Sequence, residues 1–319
     1  MKNRIYGGYN IDMNNIKYID EEVMYGNFFY KHWGHFIIDI VNRLWYLVKY
    51  QKINKIKIIF TTYINSNIKI DGNYRKFLNL FGIKDENIIL INEPTKFKKV
   101  IIPESSIYPG KYYTNEYIDI FNKVSENVEI SSDIDKKIYL SRRNFKKAKN
   151  KEKGEEDIEK FFNMNGYISV SPEKIPLEKQ IQYFRDSEEI VCINGTLSHN
   201  FIFANENKKS VIINKTYKVN KNQEMINQAK KIDVTYIDSH ISLLPIAYGK
   251  GPFILNFNEN LIQFAKDREY NYNKSIIKDI RKKFYKIWYI LKYINIYHFK
   301  IYRDKSIKWK ELFRKYIFK

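Results

Sequence analysis

The sequence predicts an α/β protein made of two consecutive, mainly parallel sheet-and-helix halves followed by a basic helical tail. Three observations predict it. From about residue 34 to residue 257, β-rich runs alternate with helical segments, as strands joined by crossover helices do. A polar, charged stretch from Glu126 to Lys136 breaks that alternation once. The C-terminal end then changes character: residues 271–319 hold 15 Lys or Arg against three acids, +12 of the chain's net +20. The expected domains are 1–130, 131–257 and a tail over 258–319.

The first half opens on a helix expected over Gly34 to Lys49, because Phe36, Ile40, Leu44 and Leu47 recur at helical spacing. Lys55 to Thr61 reads as a buried strand, and Tyr74 to Phe81 as a short helix closed by Gly82. Asn87 to Ile91 and Lys99 to Ile102 are two more strands, the second ended by Pro103. Asn115 to Val124 is a helix.

In the second half, Lys137 to Leu140 is a strand leading into Ser141, Arg142 and Arg143. Lys146 to Gly154 reads as a loop, Glu155 to Asn163 as a helix, and Tyr167 to Val170 as a strand. Ser171 to Pro176 is a turn before a helix over Leu177 to Arg185. Glu189 to Ile193 and Ser210 to Asn214 are strands, and Leu243 to Phe257 is less regular, broken by Gly249, Gly251 and Pro252. In the tail, Ile276, Ile277, Ile280, Phe284, Ile287, Trp288 and Leu291 fall at helical spacing. Lys278, Arg281, Lys282, Lys283 and Lys286 take the other face, the pattern of a basic amphipathic helix.

Composition sets bounds. A chain of 319 residues exceeds one small core, and 44% hydrophobic with 16% aromatic residues suits a packed globular protein. The charge of +20 favours anionic partners such as nucleotide phosphates, nucleic acid or a lipid surface. The single cysteine, Cys192, excludes an intrachain disulfide and a Cys-based zinc site and suits a reducing compartment. Met1 to Asn15 is polar, so no signal peptide is expected, and no run approaches the ~20 apolar residues of a spanning helix.

Three stretches carry chemistry. In the first, His32 and His35 stand three apart and Asp39 follows His35 by four; on a helix His35, Asp39 and Arg43 share a face. A His with a carboxylate one turn away is a candidate oriented general base. In the second, Arg142 and Arg143 follow a strand's carboxyl end, where open α/β sheets bind ligands, and paired guanidiniums suit a diphosphate. In the third, Asn194, Gly195, Thr196, Leu197, Ser198, His199 and Asn200 follow a strand. A glycine there allows close backbone approach, and a following helix N-terminus offers N–H groups to phosphate. No H-E-x-x-H, P-loop or G-x-G-x-x-G occurs. His240 and His298 lack partners at metal-ligand spacing, and Asp133 and Asp135 read as solvated, so no metal is expected.

These stretches, in this order, resemble glycosyltransferase family 61, which includes bacterial capsule and lipopolysaccharide enzymes and eukaryotic O-linked glycan transferases. Trp33 to Asp39 with Arg43 and Leu44 resembles its W/F-G-H-F-hydrophobic-hydrophobic-D…R-L segment. Ser141-Arg142 resembles its S-R, and Gly195, Thr196 and Asn200 its G-A/T-x-x-x-N. The turn and Gln-bearing helix over Ser171 to Gln180 also look like the family's. The likeness covers about Gly26 to Asn214. Asn194 stands where the family usually has His, and lysines with Gly154, Glu155 and Glu156 stand where it tends to have Arg and Asn-Glu.

The resemblance implies a GT-B type fold, two Rossmann-like domains facing a cleft, with metal-independent, inverting sugar transfer from a nucleotide sugar. His35 is then the base, with Asp39 as its orienting partner or as the base itself, and His32 beside them. Arg142 and Arg143 meet the diphosphate with the loop Asn194 to Asn200, and Trp33 and Arg43 either serve the acceptor or give structural support. The expected partners are a nucleotide sugar, a glycan or lipid-linked acceptor in surface polysaccharide synthesis, and an anionic membrane surface met by 274–319 at the cytoplasmic face. The basic charge concentrates at the C-terminus rather than along a groove, so nucleic acid is not expected. The other readings are a non-catalytic binding protein on the same fold, or a basic nucleic-acid-binding protein.

Overall fold

A computed structural model describes residues 16–131, 134–149, 151–218, 220–244, 246, 249–272 and 279–303. The polar start Met1 to Asn15, Asp133, and the tail segments 274–278 and 304–319 lie outside the described residues. The chain divides into two compact units, Met1–Val128 and Glu129–Lys319.

Unit 1 is built on a four-stranded sheet: β1 (Lys17–Phe28), β2 (Lys57–Thr61), β3 (Ile88–Ile91) and β4 (Thr95–Ile101). All neighbours are parallel and the order is β3-β2-β1-β4. The central strand β1 is absent from the sequence expectation. Its three successive acids, Asp20, Glu21 and Glu22, obscure the strand pattern. Lysines on the flanking strands answer them: Lys57 Nζ lies 2.6 Å from Glu21, Lys99 Nζ 3.3 Å from Glu22 and Lys98 Nζ 3.7 Å from Asp20. Past the acids, Val23 and Met24 are fully buried.

Helix α1 (Gly72–Leu80) buries Phe77 and Leu78, and α2 (Asn115–Glu126) buries Tyr117, Ile120, Phe121 and Val124 at helical spacing. The Phe77 and Phe121 rings meet at 5.8 Å. Each such buried side chain contributes roughly 1.5–3 kcal/mol.

The continuous helix expected over Gly34 to Lys49 does not form. The segment is one helical turn (Trp33–His35), a π-helix (Phe36–Ile40), a turn, and a short helix (Trp45–Lys49). The apolar residues of the predicted stripe are buried all the same. Periodicity reports which side chains go inside and does not discriminate one turn geometry from another.

Unit 2 carries five parallel strands: β5 (Lys137–Leu140), β7 (Ile168–Val170), β8 (Glu189–Ile193), β9 (Lys209–Asn214) and β10 (Asp233–Asp238), in the order β10-β9-β8-β5-β7. Helices α3 (Glu155–Met164) and α4 (Leu177–Asp186) fall where the sequence places them; α5 (Lys221–Ala229) and β10 are further elements. The supposed loop Lys146 to Gly154 holds a short helix, Lys146–Lys149, and β6 (Glu152–Lys153). That strand joins β11 (His240–Ile241) and β12 (Phe253–Leu255) in a small sheet of order β11-β12-β6. Gly154 has φ +91°, and a Cβ there would come 2.0 Å from the Leu255 carbonyl oxygen. The close approach of β12 therefore requires glycine at this position.

Beyond residue 257 the described residues of unit 2 include two helices. Helix α6 (Glu259–Asp267) buries Leu261, Ile262, Phe264 and Ala265 in the main core. Helix α7 (Asp279–Arg303) sets Tyr289, Ile290 and Tyr293 against Leu244, Ile246, Phe253 and Ile254. Two tyrosines of this helix face the protein: Tyr289 donates to the Leu244 carbonyl and Tyr285 to Glu156. Phe284, Ile287 and Leu291 remain exposed, at 64%, 39% and 62%.

Candidate active site

In unit 1 the chain steps outward from β1 to β2 to β3, then returns to place β4 on the other side of β1. Open α/β sheets bind ligands outside the carboxyl ends at such a reversal. The segment 29–44 follows β1 into that place. There Ser106, after β4, donates to the Asn42 carbonyl from N at 3.2 Å and from Oγ at 2.6 Å.

His35 Nδ1 and Asp39 Oδ2 are 2.5 Å apart, and both side chains are partly exposed. The sequence-predicted pair is therefore assembled. With Nδ1–H donated to the carboxylate, Nε2 is the ring nitrogen that can take a proton. His32 caps the turn, its Nδ1 accepting from the His35 backbone N–H at 3.4 Å, and the two imidazoles lie 4.6 Å apart. Trp33 stacks on Phe36 at 5.5 Å, a packing role. The π-helix shows its i to i+5 bond from Val41 N to Phe36 O at 3.1 Å, and the Tyr117 hydroxyl caps the Ile37 carbonyl at 3.0 Å. Arg43 turns to the Tyr25 ring, 5.8 Å away, with a buried Nε that has no hydrogen-bond acceptor.

A further positioning residue, Asn27, escaped sequence reading. It has φ 153°, beside an irregularity in the β1–β2 register. Its Nδ2 donates to the Asp39 carbonyl at 2.7 Å and to Asn42 Oδ1 at 3.4 Å, while its Oδ1 accepts from Phe28 N at 3.0 Å.

In unit 2 the reversal lies between β5 and β8. The loops singled out from the sequence, Ser141 to Arg143 and Asn194 to Asn200, follow those two strands. Arg142 does not stand as a solvated cation. Its Nε lies 3.1 Å from Glu152 Oε2, and Lys215 Nζ lies 2.6 Å from Glu152 Oε1. The Glu152 and Lys215 side chains are only 4% and 7% exposed. Burial opposes ionisation of Glu152, but Lys215 and Arg142 outweigh it and hold the carboxyl below its usual range. Lys215 Nζ also sits 4.5 Å over the Phe253 ring and would lie 3.6 Å from a Cβ placed on Gly195. Glu155 accepts from Arg142 N at 2.7 Å and from the Tyr139 hydroxyl at 3.3 Å, and burial pushes its carboxyl up to about 8. Arg143, half exposed, pairs with Glu159 at 2.9 Å.

Asn194 Nδ2 donates to Asn214 at 2.7 Å, and Asn214 donates to Asp238 at 2.9 Å. This amide chain links the ends of β8, β9 and β10. Gly195 has φ +150°, and its N–H points to Ser198 Oγ at 3.2 Å; the same hydroxyl donates to Gly195 O at 2.8 Å. The α-helix N-terminus expected after Gly195 is a six-residue 3-10 helix, Ser198–Phe203, and Ser198 closes the turn. Leu197, His199 and Asn200 are buried and Thr196 is half-buried; His199 Nδ1 meets Gln223 Oε1 at 2.9 Å.

The sequence gives no local signal for Glu152 or Lys215. One lies in a run read as loop, the other among 56 Lys and Arg. Among the described residues, no three or more His, Cys, Asp or Glu are grouped to hold a metal ion, and no helix is long and apolar enough to cross a membrane.

The family model described as Glycosyltransferase 61 matches residues 33–213, more than half of the chain. No curated protein matches it. The matched span contains both reversal-point loops and ends two residues before Lys215.

Proposed function

The chain belongs to glycosyltransferase family 61, and we propose that it is an inverting, metal-independent transferase moving a hexosyl or pentosyl group from a nucleotide sugar to a glycan or lipid-linked acceptor. The observation that carries this reading is the 2.5 Å contact between His35 and Asp39 outside the carboxyl ends of β1 and β4. The acceptor hydroxyl gives its proton to His35 Nε2 as its oxygen attacks the anomeric carbon. The bond from that carbon to the diphosphate oxygen breaks, and the diphosphate leaves with the bonding electrons. Asp39 orients the imidazole and stabilises the imidazolium. Arg142 and Arg143 supply positive charge for the leaving diphosphate, which the turn Asn194 to Ser198 supports, and Lys215 offsets the buried Glu152 carboxylate beside Arg142. The GT-B arrangement belongs to this proposal and rests on the family resemblance.

The proposal extends to location. Phe284, Ile287 and Leu291 form one exposed stripe on α7, and the lysine-rich tail would meet anionic headgroups at the cytoplasmic face, where surface polysaccharide precursors are lipid-linked. The function is tested by incubating the protein with a panel of nucleotide sugars, with and without EDTA, and reading nucleoside diphosphate release. Release from one donor, unaffected by EDTA, is expected. Absence of both binding and release across the panel rules the reading out, and loss of turnover on chelation, restored by manganese or magnesium, rules out its metal-independent part.

A further inference from the structure

A path of aromatic rings in unit 1 leads from solvent to the His35 imidazole. Tyr63 lies just after β2 and Phe28 ends β1, and their rings meet edge to face at 5.0 Å and 84°. Phe28 and Tyr30 are 6.3 Å apart, and Tyr30 and His35 are 5.3 Å apart. The outer ring is open: Tyr63 is 57% exposed, while Phe28 and Tyr30 are half-buried. At the border of this path Lys31 and Asp71 form an exposed ion pair at 2.6 Å.

We propose that this path is the acceptor subsite and that its ligand is a short sugar chain, with one pyranose stacked on the open Tyr63 ring and the chain running past Phe28 and Tyr30 to place a hydroxyl at His35. Three features favour a sugar. The path ends on the imidazole that Asp39 orients, so a ligand lying along it reaches the proton acceptor. Aromatic faces carry negative charge density, and the C–H bonds on one face of a pyranose carry the complementary positive charge. The border is polar, and Lys31 and Asp71 match the hydroxyls at the rim of such a ring. A lipid tail would want an aliphatic lining instead, and Ile64 is the exposed aliphatic neighbour here. The position after β1 and β2, at the carboxyl edge of the sheet, is where an α/β sheet presents ligands.

The inference rests on the transferase reading, and its test separates the two. Saturation-transfer NMR is run on the full chain with methyl glycosides of common hexoses and pentoses and with their disaccharides. Transfer to the C–H face of at least one ring is expected. Tyr63→Ala should reduce it at least five-fold, Tyr63→Phe should keep it, and neither should move the melting temperature, because the ring is mostly solvent-exposed. Nucleoside diphosphate binding, measured on the same samples, should be identical in all three proteins. No transfer from any sugar, or transfer that survives Tyr63→Ala, overturns the subsite and leaves the transferase reading standing if the nucleotide still binds. Loss of nucleotide binding in the parent protein strikes the transferase reading instead.

Discussion

Asn27 Nδ2 donates to the backbone carbonyl of Asp39 at 2.7 Å, tying the π-helix that carries the acid to the end of the central strand. Asn27 holds a φ of 153° to do so, a conformation that costs a non-glycine residue about 1–3 kcal/mol. Glycine relieves that strain and removes the tether, which as a hydrogen bond contributes about 1 kcal/mol. Asn27→Gly should therefore leave the unfolding midpoint unchanged or raised while kcat falls about ten-fold, some 1.4 kcal/mol of barrier. A parallel fall in stability and turnover would mean that Asn27 is only structural.

His35→Ala and Asp39→Asn address the base. A positioned general base contributes typically 10²–10⁴-fold, so each variant should lose transfer by about that factor. Both side chains are partly exposed, so the thermal midpoint should stay near the parent's. Nucleoside diphosphate affinity should also hold. Near-parent transfer in both variants removes the assignment.

The unit 2 cluster makes a stability prediction distinct from a binding one. Lys215→Met leaves Glu152 buried with one cation fewer and should cost about 3 kcal/mol in urea unfolding. Adding Glu152→Gln to it should restore a good part of that loss. Arg143→Ala removes a half-exposed charge and should cost little stability but weaken nucleoside diphosphate binding by about 1.5–3 kcal/mol in calorimetry. Equal affinity in parent and Arg143→Ala would exclude the contact.

Glu155 gives a pH dependence with a definite sign. Burial raises its carboxyl from 4.5 to about 8, so the folded protein keeps a proton that the unfolded chain has lost. Between those values the unfolded state binds fewer protons, so stability falls as pH rises, by up to about 1.4 kcal/mol per pH unit from this group. Glu155→Gln should flatten stability against pH across that window. An unchanged slope would contradict it.

On α7 the exposed stripe can be separated from the docked one. Phe284→Ser with Leu291→Ser leaves Tyr289, Ile290 and Tyr293 in place. The parent should float with phosphatidylglycerol liposomes at low salt and less so at high salt. The double variant should float less. A parent chain that ignores anionic liposomes at low salt ends the membrane proposal.

From the sequence alone come the α/β class, most strands and helices of both units, and the three stretches proposed to form the site. Those features are written locally. Runs such as Ile190 to Ile193 are apolar throughout because both faces of a parallel strand are buried. The one-turn spacing of His35 and Asp39 survived even though the helix around them is π rather than α. Tertiary structure decided what depends on partners far away in the chain. β1 is a strand because it pairs with β2 and β4 and buries Val23 and Met24, with lysines at 57, 98 and 99 set against its acids. Arg142 is bound to Glu152, and Lys215, more than 60 residues further on, completes the pair into a triad. Which of 56 cations is buried, which carboxylate keeps its proton and which face of α7 is covered follow from desolvation and Coulomb energy in the packed chain. No local pattern encodes those energies, because they belong to distances that exist only once the strands have paired.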